Sequence, residues 1–178
     1  DVENAILPNP MSSDKSVVRT SLIPSLLNVY NYNKKRKVKD ICIYEIAKTY
    51  DKEYNETSLV TGLVSGNYSS NGWSKPVKYD FYIVKGMVEN ILDFMGFKNR
   101  YSFEVSDALD LHPGVSANIL LDRKKIGIFG RVHPSVNKDE IYVFELSLNV
   151  LMNKIKPLKY KEAPKYPGME RDMAFIID

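Results

Sequence analysis

Residues 117–132 read ANILLDRKKIGIFGRV. Two apolar runs, Ala117 to Leu121 and Ile126 to Val132, flank the polar stretch Asp122-Arg123-Lys124-Lys125, and this pattern reads as a β-hairpin. Downstream, Ile141 to Leu148 (IYVFELSL) reads as a strand central in a sheet, and Asn149 to Ile155 as a short helix. Upstream, Tyr101 to Ser106 alternates as a strand does. Before it, Phe81, Val84, Met87, Val88, Ile91, Leu92 and Met95 form one stripe at three-and-four spacing, which predicts a helix over Asp80 to Met95. Asp80 is placed to cap its start and Gly96 follows its end. Leu59 to Ser65 is a further strand. Asp40 to Tyr50 (DICIYEIAKTY) is apolar on both faces and is expected at the sheet centre. Leu22, Leu26, Val29 and Tyr30 predict a helix from about Thr20 to Lys35, with Ser21 as cap and Pro24 in its first turn. Hairpin-joined strands with two substantial helices define an α+β domain with a mostly antiparallel sheet.

The chain has 178 residues, is 44% hydrophobic and 26% charged, and carries a net charge of +3. This is ordinary globular composition and excludes a disordered or low-complexity chain. The charge excess alone does not argue for nucleic acid. The one cysteine, Cys42, has no partner within the chain for a disulfide and fits a reducing compartment. No apolar run approaches the ~18 residues of a membrane helix. Both ends read as cut from something longer, because the chain starts at Asp1 and stops just after the apolar run Met173 to Ile177. Pro157, Pro164 and Pro167 mark a linker, and Met173 to Ile177 is expected to be a strand. The polar stretch Asn67 to Lys78 reads as a long loop carrying Trp73.

Few residues suggest chemistry. His112-Pro113-Gly114 and His133-Pro134 read as loop histidines held by hydrogen bonds, and with one cysteine they are a poor basis for a zinc site. Cys42, within an apolar strand, reads as an inert small hydrophobe. Lys34, Lys35, Arg36, Lys37 and Lys39 end the first helix, where cations complement its dipole. The same run could touch a phosphate backbone, and so could Arg123-Lys124-Lys125. Tyr30, Tyr32 and Trp73 are either subunit-interface anchors or core side chains of their own domain.

Taken in order, several segments resemble the beta subunits of bacterial phenylalanine–tRNA ligases. They are Asn9-Pro10-Met11-Ser12, Ser16 to Leu27 (SVVRTSLIPSLL), Tyr44 to Tyr50 (YEIAKTY), Leu111 to Ala117 (LHPGVSA), Ile126 to Pro134 (IGIFGRVHP) and Val143-Phe144-Glu145-Leu146. The tail Lys165 to Ala174 (KYPGMERDMA) resembles the entry to that subunit's ferredoxin-like anticodon-binding domain. The resemblance implies a core like the catalytic domain of class II aminoacyl-tRNA synthetases, at 1–157, and at 158–178 a linker with the first strand of a truncated anticodon-binding domain. It implies a cytoplasmic α2β2 enzyme that uses ATP and magnesium to charge tRNA with phenylalanine. The alpha subunit does the chemistry. The beta core is a catalytically silent scaffold packed against alpha, with no cofactor or metal of its own.

Two positions speak for silence within that resemblance. Aligning Ile43 to Ile46 with the central strand that carries a phosphate-binding arginine puts Glu45 in the arginine's place, where it repels a triphosphate. Aligning Phe144 to Leu151 with the glycine-rich strand and its following helix puts Val150 where a second arginine stands. Two alternatives stay open. An active class II-like ligase core would draw on Arg19 and Arg131. A stand-alone RNA-binding module would draw on the two basic runs.

Overall fold

The computed structural model describes residues 6, 9–10, 16–69, 73, 75–155 and 168–176. Its elements are α1 (Ile23–Lys35), β1 (Ile41–Tyr50), β2 (Glu56–Ser65), β3 (Asn67–Ser69), β4 (Val77–Lys78), α2 (Phe81–Phe94), β5 (Tyr101–Val105), β6 (Leu111–Leu121), β7 (Lys124–Val132), β8 (Ile141–Ser147) and α3 (Leu148–Lys154). Six strands make one sheet in the order β1-β2-β8-β7-β6-β5, every pair antiparallel. The expected α+β class and antiparallel sheet are therefore observed.

The two helices divide the sheet faces. On one face Ile23, Leu26, Leu27 and Tyr30 of α1 pack on Ile41, Leu63, Ile141 and Val143. On the other, Val84, Val88 and Leu92 of α2 pack on Ile119, Leu121, Phe129, Tyr142, Phe144 and Leu146, joined by Leu151 of α3. Asp80 caps α2 as its position predicts: its side chain accepts from the Ile83 amide at 2.8 Å. The start of α1 differs from expectation. Leu22, not Ser21, holds the cap position and has no side-chain cap bond, while the Ser21 hydroxyl one residue earlier accepts from the first helical amide, that of Ile23, at 3.1 Å.

Three expectations are corrected. Strand β1 is not central but lies at the sheet edge. Its odd-numbered residues, Ile41 and Ile43 among them, turn toward α1, while Cys42, Tyr44 and Ile46 turn to the opposite face and stay exposed. Its apolar residues on two faces thus do not mean burial on two faces within this chain. Residues 67–78 are not simply a loop: Asn67–Ser69 pairs antiparallel with Val77–Lys78 in a small ladder. His112-Pro113-Gly114 lies inside the longer β6, at a break in its pairing with β7. The strand expected from Met173 to Ile177 falls partly outside the described residues; residues 168–176 are exposed and have no strand partner among the described ones.

The hairpin of residues 117–132 closes through a two-residue turn. Leu121 pairs with Lys124, and Asp122 (φ 50°) and Arg123 (φ 65°) are both left-handed. Such turns match the strand twist and favour glycine at the second position. An arginine there costs about 1 kcal/mol of backbone strain. Asp122 accepts from Arg100 Nε at 3.1 Å and Nη2 at 2.7 Å, and from Lys154 Nζ at 3.1 Å, tying the turn to β5 and α3. Those cations, Arg100 foremost, hold its carboxyl well below the usual carboxylate range.

Two stability changes follow from this turn. Arg123→Gly should raise the denaturant midpoint, by up to about 1 kcal/mol of stability, read by urea unfolding. Because the Asp122 carboxyl is depressed in the folded state, its contribution is complete above the unfolded value near pH 4 and is lost as pH falls toward the folded value. Asp122→Asn should therefore flatten the acid limb of the melting temperature against pH, leaving a smaller drop below about pH 4 than the parent protein shows.

Candidate functional site

The sheet face shared with α1 carries a cross-strand row that is polar on every strand but β7, where Ile128 stands. The register sets Glu45 opposite Thr61, Thr61 opposite Glu145, Glu145 opposite Ile128, Ile128 opposite Asn118, and Asn118 opposite Glu104. Directly opposed residues share a face, so three carboxylates lie along one line. Glu145 is its best-anchored member. Its Oε2 accepts from Ser21 Oγ at 2.9 Å, from the Leu22 amide at 2.9 Å and from Thr61 Oγ1 at 3.0 Å. Ser21 Oγ in turn accepts from the Ile23 amide at 3.1 Å. At the start of α1 the Leu22 amide is thus served from β8, a strand more than a hundred residues away in sequence, and the Ile23 amide by Ser21, whose hydroxyl Glu145 holds.

Glu45 is bound as well, to Arg19 Nη1 at 2.8 Å. Arg19 also donates to the Lys48 carbonyl, at 3.4 Å. This arginine therefore meets a carboxylate of the row. Arg131 is opposite Tyr142, on the α2 face, so the two arginines considered for an active core lie on opposite sides of the sheet. Its Nε is buried without a partner among the described residues. Val150 is partly buried against the α2-side core. The premise that Glu45 sits on a central strand fails, since β1 is the edge; what stands is a carboxylate on the α1 face held by its own arginine.

The second feature is apolar. An open groove of about 400 Å³ runs between β1–β2 and α2, lined by Cys42, Tyr44, Val60, Gly62, Met87 and Ile91 among others. Gly62 makes it possible: a Cβ there would collide with the Phe144 ring, which lies over it. Tyr44 is 74% exposed and Ile46 61%, and Phe94, on the Met87–Ile91 stripe of α2, is 94% exposed. Cys42, read from the sequence as an inert small hydrophobe, is a free and exposed thiol on the edge strand β1. Burial first, then the neighbouring Cys42 thiol, push the Tyr79 hydroxyl up to about 12.

The residues singled out in the sequence scatter. Tyr30 is no interface anchor, because it is buried in this chain's own core and its hydroxyl donates to Asp139 at 2.9 Å. Lys34 pairs with Asp139 at 3.2 Å. Arg36 lies over the exposed Tyr32 ring at 3.4 Å and donates to the Tyr32 carbonyl. Lys35 and Lys37 are exposed. Trp73 is 92% exposed. The His112 and His133 rings are 6.4 Å apart, and each Nδ1 accepts a backbone amide two residues on. Among the described residues no group of three or more His, Cys, Asp or Glu could hold a metal ion, and no helix is long and apolar enough to cross a membrane. The apolar groove was missed in the sequence. Its signal was there, in the two-residue spacing of Cys42, Tyr44 and Ile46.

Comparisons with known proteins place this geometry. A family model described as phenylalanyl tRNA synthetase beta chain CLM domain matches residues 2–148. The phenylalanine–tRNA ligase beta subunit of Bacillus subtilis (strain 168) is 40% identical over 188 residues, covering 98% of this chain and 23% of that protein. That of Listeria monocytogenes serotype 4b is 33% identical over 189 residues, covering 100% of this chain and 24% of that protein. The chain thus spans about a quarter of the length of these curated relatives. Among solved structures, the pyrrolysyl-tRNA synthetase of Desulfitobacterium hafniense superposes with a TM-score of 0.62 at 13% identity, covering 84% of this chain and 52% of that one. This last likeness is one of fold, and it bears out the class II synthetase-like architecture.

Glu145→Ala should destabilise the protein by about 2–3 kcal/mol, because it removes three hydrogen bonds to a charged acceptor and leaves a helix-start amide unpaired. Glu145→Gln should cost less. Chemical denaturation of both variants checks the order.

Proposed function

The chain belongs to the family of phenylalanyl-tRNA synthetase beta chains, and from that premise we propose that it is a catalytically silent, synthetase-like scaffold that packs against the alpha subunit. In this reading the whole enzyme is a cytoplasmic α2β2 ligase that charges tRNA with phenylalanine, using ATP and magnesium. The core extends to residue 157, and 158–178 lead into a ferredoxin-like anticodon-binding domain.

The observation that carries silence is the row Glu45–Thr61–Glu145. Adenylate formation needs fixed cations where charge builds on the α-phosphate. Here the strands present carboxylates, and the nearby cation Arg19 is held by one of them. A triphosphate laid on this face would meet like charge. The scaffold role draws on the open apolar groove, which Tyr44 lines, and on the exposed apolar side chains Ile46 of β1 and Phe94 of α2. Exposed apolar surface of this kind belongs under a partner. Tyr32 and Trp73 stay proposed interface side chains, and Lys34 to Lys37 a proposed tRNA contact in which Lys35 and Lys37 carry the available charge.

Cys42 reports on the packing. In the beta subunit alone, maleimide should label the peptide bearing Cys42 readily; in the assembled enzyme the same peptide should be protected. Calorimetry on the beta subunit should show no saturable ATP binding. Equal labelling with and without alpha, or phenylalanine-dependent ATP–pyrophosphate exchange by beta alone, would overturn the reading.

A further inference from the structure

One end of the sheet gathers positive charge. Lys98 and Arg100 stand in the turn before β5, Arg123, Lys124 and Lys125 at the β6–β7 hairpin, and Lys154 at the end of α3. Over the described segments 97–101, 121–125 and 152–155 the acidic side chain is Asp122, and it is taken up by Arg100 and Lys154. Lys98, Arg123, Lys124 and Lys125 are exposed and have no ion-pair or hydrogen-bond partner among the described residues. At the basic end of α1 Lys34 is engaged by Asp139 and Arg36 lies along Tyr32, while Lys35 and Lys37 are exposed.

Arg123 adds an independent sign. It occupies a left-handed position (φ 65°) where glycine would sit without strain, so local stability does not account for an arginine there. The hairpin tip itself offers no aromatic or aliphatic anchor: Asp122, Arg123, Lys124 and Lys125 are all charged, and the exposed apolar side chains of this end, Met152 and Ile155, belong to the end of α3. A protein–protein contact is built around an apolar centre. A phosphate backbone asks only for correctly placed cations.

We propose that this hairpin tip is a sequence-independent contact for the phosphate backbone of RNA, with Arg123, Lys124 and Lys125 as its cations and the Arg100–Asp122–Lys154 clamp fixing their position. The proposal rests on the preceding reading only for the identity of the RNA, a tRNA.

The test uses the full-length beta subunit assembled with its alpha subunit, titrated with unfractionated tRNA across a series of salt concentrations. Neutralising the tip (Arg123→Gly, Lys124→Gln, Lys125→Gln) should weaken binding at low salt and lower the slope of log affinity against log salt by about 2, as loss of three phosphate contacts predicts. Arg123→Gly alone should weaken binding while stabilising the fold, which separates lost contact from lost structure. An unchanged slope in the triple variant overturns the proposal. So does competition by polyglutamate as effective as that by unlabelled tRNA, which would assign the tip to an acidic protein surface. The scaffold reading fails on a separate readout, loss of co-purification with alpha.

Discussion

Strand β8 has a neighbour on each edge and side chains buried on each face, so the rest of the domain is arranged by the need to cover it. Val143 is sealed by α1, Phe144 and Leu146 by α2, and Leu151 just beyond the strand closes the lower end of the same core. Glu145 breaks this apolar run. Its carboxylate is retained at the strand centre because Ser21, Leu22 and Thr61 all donate to it. Burial of such a group is tolerable only when it is hydrogen-bonded. One side chain thereby satisfies itself, starts α1 and locks that helix to the sheet.

Two helices are not wide enough for six strands. The area left bare is polar on one face and apolar on the other, and the two have different consequences. On the α1 side, Glu45, Asn118 and Glu104 are at ease in water and need nothing further. On the α2 side, Tyr44 and Ile46 lie beyond the reach of α2, whose Met87 and Ile91 border the groove but do not fill it. The sheet thus presents carboxylates on its α1 face and an open apolar groove on its α2 face.

Some of this was legible in the residues alone. Helix α2 could be read because its stripe repeats at the helical period and Asp80 stands where an N-cap is needed. The hairpin, β8 and α3 could be read because apolar runs of strand length are bounded by polar turns. The collinear motifs pointed to the family before any coordinates, since motif order is a property of the chain itself. The reading of β1 as central was wrong for a definite reason. Apolar residues at both parities say that both faces of a strand avoid water, but not whether the cover comes from this chain or another.

What the sequence by itself determined, then, was the set of elements, their antiparallel class and the family, because each depends on local periodicity or linear order. Tertiary structure alone decided strand order, and with it everything that depends on who stands beside whom. It made β1 an edge, put Arg19 and Arg131 on opposite faces, buried Tyr30, exposed Cys42 and brought Ser21 to Glu145. These are relations between residues far apart in the chain. They are set by which surfaces the folded sheet leaves uncovered, and no short window of sequence carries that information.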